Sequence, residues 1–333
     1  MSGYLLRRLG QGLVTIFLIS ILSFVIIQAP PGDFASTYVA RISESGMTEQ
    51  RKDELLASMT NRYGLDQPLV VQYGKWMWGI VSRGDFGVSF NWERPVVRIL
   101  EERLPLTFMI SLLTLAFQLL VAIPIGIYTA MRRYTVGDYA FTLLSFLGLS
   151  VPHFLLALLV MVGLYNFFGV SIGGLFSPEF RDAPWTLARF LDLLQHLIVP
   201  IIVIGLANTA ATVRILRGTV LDELGKDYMK VLSAKGMARH KAVFKHAARI
   251  ALNPVIAAFG WQLPLLVSGE VIVSIVIGLP TVGPVLFEAL QSQDMYLAGG
   301  IILMVSALTV LGTLVSDVLL ALSDPRISYG EGA

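Results

Sequence analysis

The chain has 333 residues, 55% of them hydrophobic and 14% charged, with a formal net charge of +2. Soluble domains carry about 25% charged residues, so this composition, with a mean hydropathy of +0.71, describes an integral membrane protein. The near-neutral charge gives no argument for a nucleic-acid partner, and the absence of cysteine excludes disulfides, zinc thiolate sites and thiol nucleophiles.

Arg7 and Arg8 precede an apolar stretch from Leu9 to Ile27. At about 19 residues it exceeds the 7–15 of a signal-peptide core. Gln28-Ala29-Pro30-Pro31 follows it in place of a small-x-small cleavage site. It reads as a retained first transmembrane helix. Crossing the hydrocarbon core takes about 20 apolar residues, and six segments qualify: Leu9–Gln28, Leu106–Ala130, Tyr139–Phe168, Leu193–Ile215, Val255–Gly278 and Gly299–Leu322. Pro124, Pro152, Pro200 and Pro264 fall inside them and predict kinks, because neighbouring helices can satisfy a freed carbonyl in a membrane. Gly205, Gly260 and Gly278 are positions where helices can approach closely.

Short-loop charges set the orientation. Arg7 and Arg8 precede the first span, Arg132 and Arg133 follow the second, and Arg326 follows the sixth. Nine basic residues lie from Arg214 to Arg249 against Asp222, Glu223 and Asp227, whereas Leu279 to Ala298 has neither lysine nor arginine. The positive-inside rule then puts both termini in the cytoplasm; the long loop from Pro30 to Pro105 crosses whatever its charge. That loop predicts a helical cap. Leu55, Leu56 and Met59 have helical spacing over Thr48 to Tyr63, ended by Gly64. Val70 to Val81 is a second amphipathic run, with Trp76 and Trp78 suited to the membrane interface. Gly84-Asp85-Phe86-Gly87 reads as a turn.

Catalytic motifs are missing. Gly74-Lys75 and Gly225-Lys226 lack the spacing and the Ser/Thr of a phosphate-binding loop, so the chain cannot hydrolyse ATP by that route. His153, His196, His240 and His246 are scattered, and the sequence predicts neither a metal site nor an enzyme. Two spans carry carboxylates with no basic partner in the spans. Glu270 reads either as a pathway or gate residue or as a structural hydrogen-bonding group, with Ser274 one turn on. Asp317 reads as structural. Between Arg214 and Pro254 lies a basic island in two parts. Asp227 to Met237 predicts a short helix stopped at Gly236. Beyond it, Lys241, Lys245 and Arg249 share one helix face, with Val243, Ala247 and Ile250 on another. The cationic stripe suits lipid phosphates.

Further local matches run in order along nearly the whole chain. They are Tyr4-Leu5-Leu6-Arg7-Arg8-Leu9, Pro31-Gly32-Asp33, Tyr63-Gly64-Leu65-Asp66-Gln67-Pro68, Gly84-Asp85-Phe86-Gly87 and Glu102-Arg103-Leu104-Pro105. After these come Ser145-Phe146-Leu147-Gly148-Leu149-Ser150-Val151-Pro152, then Ala234-Lys235-Gly236 with His246-Ala247 and Asn253-Pro254. Gly269-Glu270-Val271 and Ser323-Asp324-Pro325-Arg326 complete the set. In this order they resemble the inner-membrane permease subunit of binding-protein-dependent ABC importers of the dipeptide/oligopeptide/nickel class. Lys230-Val231-Leu232 stands where the wider superfamily has Glu-Ala-Ala, and residues 41–47 lengthen the first loop.

The resemblance implies an all-α membrane protein of the type I ABC importer permease fold, with six transmembrane helices and a helical extracytoplasmic loop after the first. Residues 1–29 would be the N-terminal span, 30–104 the cap and 105–322 a five-helix core. The core includes the coupling loop 216–254, and 323–333 would form a cytoplasmic tail. It implies a coupling helix, with Asp227, Tyr228, Ser233, Ala234, Lys235, Gly236 and Met237 meeting the ATPase. The implied partners are a homologous second permease forming a heterodimer, two cytoplasmic ATPase domains that carry ATP and magnesium, and a periplasmic or lipid-anchored solute-binding protein. The setting would be a bacterial or archaeal inner membrane. Peptides are the first cargo class, with oligosaccharides, opines or a metal chelate as alternatives. A stand-alone ion-coupled carrier and a non-transporting scaffold are the readings from other classes.

Overall fold

A computed structural model of the chain describes residues 2–28, 39, 48–64 and 66–323. Pro31-Gly32-Asp33, the insertion at 41–47 and the tail after Ser323 lie outside the described residues. Helix α1 is Ser2–Gln28, α2 Glu49–Tyr63 and α3 Leu69–Arg83. Strands β1 (Val88–Ser89) and β2 (Arg94–Pro95) pair antiparallel and lead into α4, Val96–Met131. Then follow α5 (Val136–Ser150), α6 (His153–Phe168), a 3₁₀ turn at Pro178–Phe180 and α7 (Leu187–Leu224). The basic island holds α8 (Asp227–Ala234), α9 (Arg239–Ala242), a π-turn (Val243–Ala247) and α10 (Ala248–Ala251). Helices α11 (Asn253–Ile277), α12 (Val282–Gln291) and α13 (Met295–Ser323) complete the described chain.

Among the described residues, Leu6–Val25, Val96–Met131, Leu187–Leu206 and Met295–Leu320 are long and apolar enough to cross a membrane. Two bent helix pairs raise the number to six. One pair corrects the expectation of a single kinked span over Tyr139–Phe168, because α5 and α6 meet at 103°. The cause is local. Val151 (φ −90°, ψ 124°) is extended, as the steric clash before proline favours, and Pro152 (φ −56°, ψ 133°) is extended as well. Pro200, by contrast, sits inside unbroken α7. Helix α7 also outruns its expected limits of Leu193–Ile215. Thr186 caps it, accepting from the Arg189 N–H at 3.3 Å. Its 38 residues reach about 57 Å at 1.5 Å per residue, far beyond a hydrocarbon core of about 30 Å.

The contacts fall into two compact units. In the larger, which includes residues 106–283, α7 packs against α5, α6 and α11. Two apolar clusters lie along these helices. One gathers Ile110, Leu115, Leu197, Val203, Ile204, Val273 and Ile277. The other gathers Ile127, Ala130, Leu216, Val220, Met229, Val243, Ala251 and Val255. Between them in the order of each helix is a polar node. The amide of buried Gln118 on α4 donates to Thr212 Oγ1 on α7 (2.7 Å) and to Gln262 Oε1 on α11 (3.1 Å). Gly205 is a close approach, as expected: a Cβ there would lie 2.7 Å from the Phe117 ring. Gly278 serves a turn instead, at φ +77° after the last residue of α11. Asp317 on α13 has a partner that the sequence did not show, the Arg8 guanidinium at 3.3 Å.

The smaller unit includes residues 10–28, 39, 48–64, 66–105 and 284–307 among those described. Here α3 docks on α1. Tyr73 Oη and Ser20 Oγ hydrogen-bond at 2.7 Å, and Phe24 packs on Tyr73 and Trp76 with ring centroids 5.6 and 5.9 Å away. Trp76 is thus buried in protein, against expectation, whereas Trp78 is exposed. Buried Asp294, just before α13, fastens the hairpin. Its carboxylate accepts from Ser89 Oγ, from the Asn91 N–H at 3.1 Å and from the Leu297 N–H at 3.2 Å. Burial raises this carboxyl above its ordinary 3.8, against the pull of those hydrogen bonds. A raised carboxyl contributes stability below its unfolded value and loses it as pH rises through the folded one. Acidification towards pH ~4 therefore tightens the hairpin. Protection of the Asn91 amide, its exchange measured relative to the intrinsic rate at each pH, should rise across that range, and Asp294→Asn should remove the dependence; protection that does not respond to pH contradicts it.

Candidate functional site

The junction between α7 and α11 carries the candidate site. Glu223, one residue before the end of α7, is buried. Its carboxylate accepts from the Tyr228 hydroxyl at 2.7 Å and pairs with Lys226. Burial first, and then the bond to Glu223, pushes the Tyr228 hydroxyl up to about 12. Lys226 is extended (φ −75°, ψ 151°), turning the chain out of α7 and into α8, and Asp227 occupies the first turn of α8, where the helix dipole favours an anion. Glu223 therefore sets where α8 starts.

Helix α8 has two faces. Met229 is buried in the second apolar cluster, and Tyr228, Leu232 and Met237 pack against it. Asp227, Lys230, Val231 and Ala234 recur at i, i+3, i+4 and i+7 on the other face, all exposed. Val231 is 52% exposed, an apolar group at the centre of a polar face. The end of the helix is a Schellman motif. Met237 N–H donates to Leu232 O (3.1 Å) and Gly236 N–H to Ser233 O (3.0 Å). Gly236 has φ +77°, a left-handed conformation that costs residues with a Cβ. Of the seven residues expected at the coupling surface, five are exposed: Asp227, Ser233, Ala234, Lys235 and Gly236. Tyr228 and Met237 hold the helix from behind.

Past Gly236 the cationic stripe is present, with Lys241, Lys245 and Arg249 exposed. Its apolar partner face is corrected. The π-turn at Val243–Ala247 shifts the register, so Ala242, Val243, Ala247, Ala248 and Ala251 are buried while Ile250 is 37% exposed. An i, i+4 rule cannot anticipate one extra residue per turn.

The Asp138–Arg217 pair steadies this junction. Arg217, on α7, donates through Nε to Oδ1 (3.0 Å) and through Nη2 to Oδ2 (2.9 Å) of buried Asp138 at the start of α5. The Tyr134 N–H donates to the same carboxylate at 2.9 Å. Thr219 Oγ1 donates to Ala251 O at 3.1 Å, tying α7 to α10. Reading the residues singled out none of Glu223, Asp138 or Arg217. Glu223 had one available signal, an acidic residue five before a tyrosine in a basic stretch.

Ser274, the other expected pathway residue, is fully buried beside Val273 and Ile277. Its carbonyl accepts from the Leu279 N–H at 2.8 Å in the Gly278 turn. Glu270 lies within α11, with its side chain outside the described atoms. Among the described residues no three His, Asp or Glu side chains gather as a metal site.

Residues 122–329 match the family model described as "Binding-protein-dependent transport system inner membrane component", and residues 1–112 match the N-terminal model of the same kind of component. The chain belongs to this family. The oligopeptide transport system permease protein AppB of Bacillus subtilis is 33% identical over 333 residues, covering 99% of this chain and 100% of AppB. The dipeptide transport system permease protein DppB of Escherichia coli is 31% identical over 347 residues, 99% of each chain. The chain is thus an ABC importer permease with the type I fold and an integral inner-membrane protein, not an enzyme. It works with the other components of such a transporter, and the permease supplies the membrane path.

Proposed function

We propose that this permease forms the translocation pathway for peptide-type solutes and is driven through α8 by cytoplasmic ATPase subunits. The observation that supports this is the build of α8. A short helix braced by Glu223 and stopped by Gly236 offers an outward face of Asp227, Lys230, Val231 and Ala234. Close-packed interiors transmit displacement with little loss, so a push on that face moves α7 through Met229 and Glu223. Peptide cargo is supported by the relatives, named for oligopeptide and dipeptide transport. ATP and magnesium bind the ATPase subunits. A homologous second permease and a periplasmic or lipid-anchored binding protein complete the importer. Both termini are cytoplasmic in a bacterial or archaeal membrane; the loop charges support this, and so does the Arg8–Asp317 pair, which joins the two ends of the chain.

Reconstituted with these partners in proteoliposomes, the permease should accumulate labelled peptide only with ATP. Uptake by the permease alone under an ion gradient overturns the coupling. ATP-driven uptake of an oligosaccharide, opine or metal chelate, but not peptide, overturns the cargo. The chain has no cysteine, so single cysteines report cleanly. Val231→Cys should cross-link to the ATPase and Met229→Cys should not; equal yields at both positions would exclude the outward face as the contact.

A further inference from the structure

The cap helix α3 has three sectors rather than two. Successive residues turn by about 100°. One sector, Gln72, Trp76 and Gly79, is buried against protein. Opposite it, Val70, Val71, Gly74, Trp78 and Val81 form a continuous apolar arc. Val70 is 80% exposed, Trp78 70% and Val81 74%. Lys75 and Ser82 form a polar edge along that arc.

The depth of α3 follows from what it rests on. Tyr73 and Trp76 pack on Ser20 and Phe24, and both lie inside the apolar span Leu6–Val25. Around the same turns of α1, Phe17, Leu18, Ile21, Leu22 and Val25 are exposed, an apolar surface suited to acyl chains. The exposed arc of α3 is thus carried on a helix that packs against an apolar span. A tryptophan within the arc and a lysine at its edge are the residues of an interfacial helix: the indole sits at headgroup level, and the lysine stem lies along apolar surface while its ammonium reaches phosphate.

We propose that α3 is a monotopic helix lying in the outer leaflet, with Val70, Trp78 and Val81 among acyl chains and Lys75 at the headgroup phosphates. The occupant of the apolar arc is lipid, and the helix anchors the cap to the membrane surface.

Nitroxide labels on Val70→Cys, Val81→Cys and Lys75→Cys, in the assembled transporter in liposomes with partner cysteines replaced, test this. At Val70 and Val81, collisions with oxygen should exceed those with a water-soluble nickel chelate, and the order should reverse at Lys75. Chelate access at all three positions overturns the proposal, because the arc then faces water. Exclusion of both reagents at Val70 and Val81 overturns it as well, because a protein then covers the arc. Should a labelled variant fail to assemble, quenching of tryptophan emission by brominated acyl chains gives the same decision. With the chain's other tryptophans replaced by phenylalanine, brominated chains should quench the remaining Trp78 emission, and unquenched emission counts against lipid contact.

Discussion

Gly236→Val should abolish ATP-driven uptake while the transporter still assembles in the membrane. A Cβ at this position meets nothing within 4 Å, so the obstacle is conformation rather than space. The φ of +77° costs an L-residue about 1–2 kcal/mol, and a β-branched residue is a genuine outlier there. Leaving that conformation removes the Met237–Leu232 and Gly236–Ser233 hydrogen bonds, each worth about 1 kcal/mol. Either way, the end of α8 is redirected where the ATPase must grip it. Gly236→Asn should keep most of the activity, because asparagine tolerates the left-handed region. Uptake and substrate-stimulated ATPase, measured on the same vesicles, check the order Gly, Asn, Val. A fully active valine variant removes α8 from the coupling path.

Arg217→Ala should be the most destabilising single change at the junction. It strips the two Arg217 hydrogen bonds from Asp138, whose side chain is only 3% exposed, and leaves that carboxylate with the Tyr134 N–H but without its cation. Removing one partner of a fully buried pair costs about 3–5 kcal/mol, and the cost here falls below that because the Arg217 side chain is 29% exposed. Arg217→Lys keeps the charge and loses the two-pronged geometry, so it should fall between. An apolar pair, Asp138→Leu with Arg217→Met, should recover much of the loss, because no charge is then stranded. Recovery will be partial, since the Tyr134 N–H also loses its acceptor. Thermal unfolding of the detergent-solubilised complex gives the ranking. An Arg217→Ala variant as stable as the parent would falsify the buried pair.

Hydropathy made the spans legible, and the Gly236 stop made α8 legible, because both depend on residues near one another in the chain. What stayed hidden depends on tertiary partners. Pro152 breaks its span and Pro200 does not, though the residue type is the same; two successive extended residues decide the first case. The π-turn moved Ile250 out of a face that regular spacing assigned to it. Asp317 finds Arg8 across almost the entire chain, a pairing no local pattern encodes. At the candidate site, the exposed residues of α8 were legible as a surface. The Glu223 brace behind them was not, because a buried carboxylate looks in sequence like any other acidic residue of a polar loop.

The polar node of Gln118, Thr212 and Gln262 acts as a registration pin. Three long apolar helices in lipid have little to stop them slipping along one another, since one leucine neighbour serves as well as the next. An amide in hydrocarbon is different: water is not there to replace a partner lost by sliding, and each such bond is worth about 0.6–2 kcal/mol. A slip of one turn, about 5.4 Å, would carry Thr212 out of reach of Gln118. Helices α4, α7 and α11 must therefore move as one lever, and a stroke delivered to α8 cannot be spent in letting α7 slide.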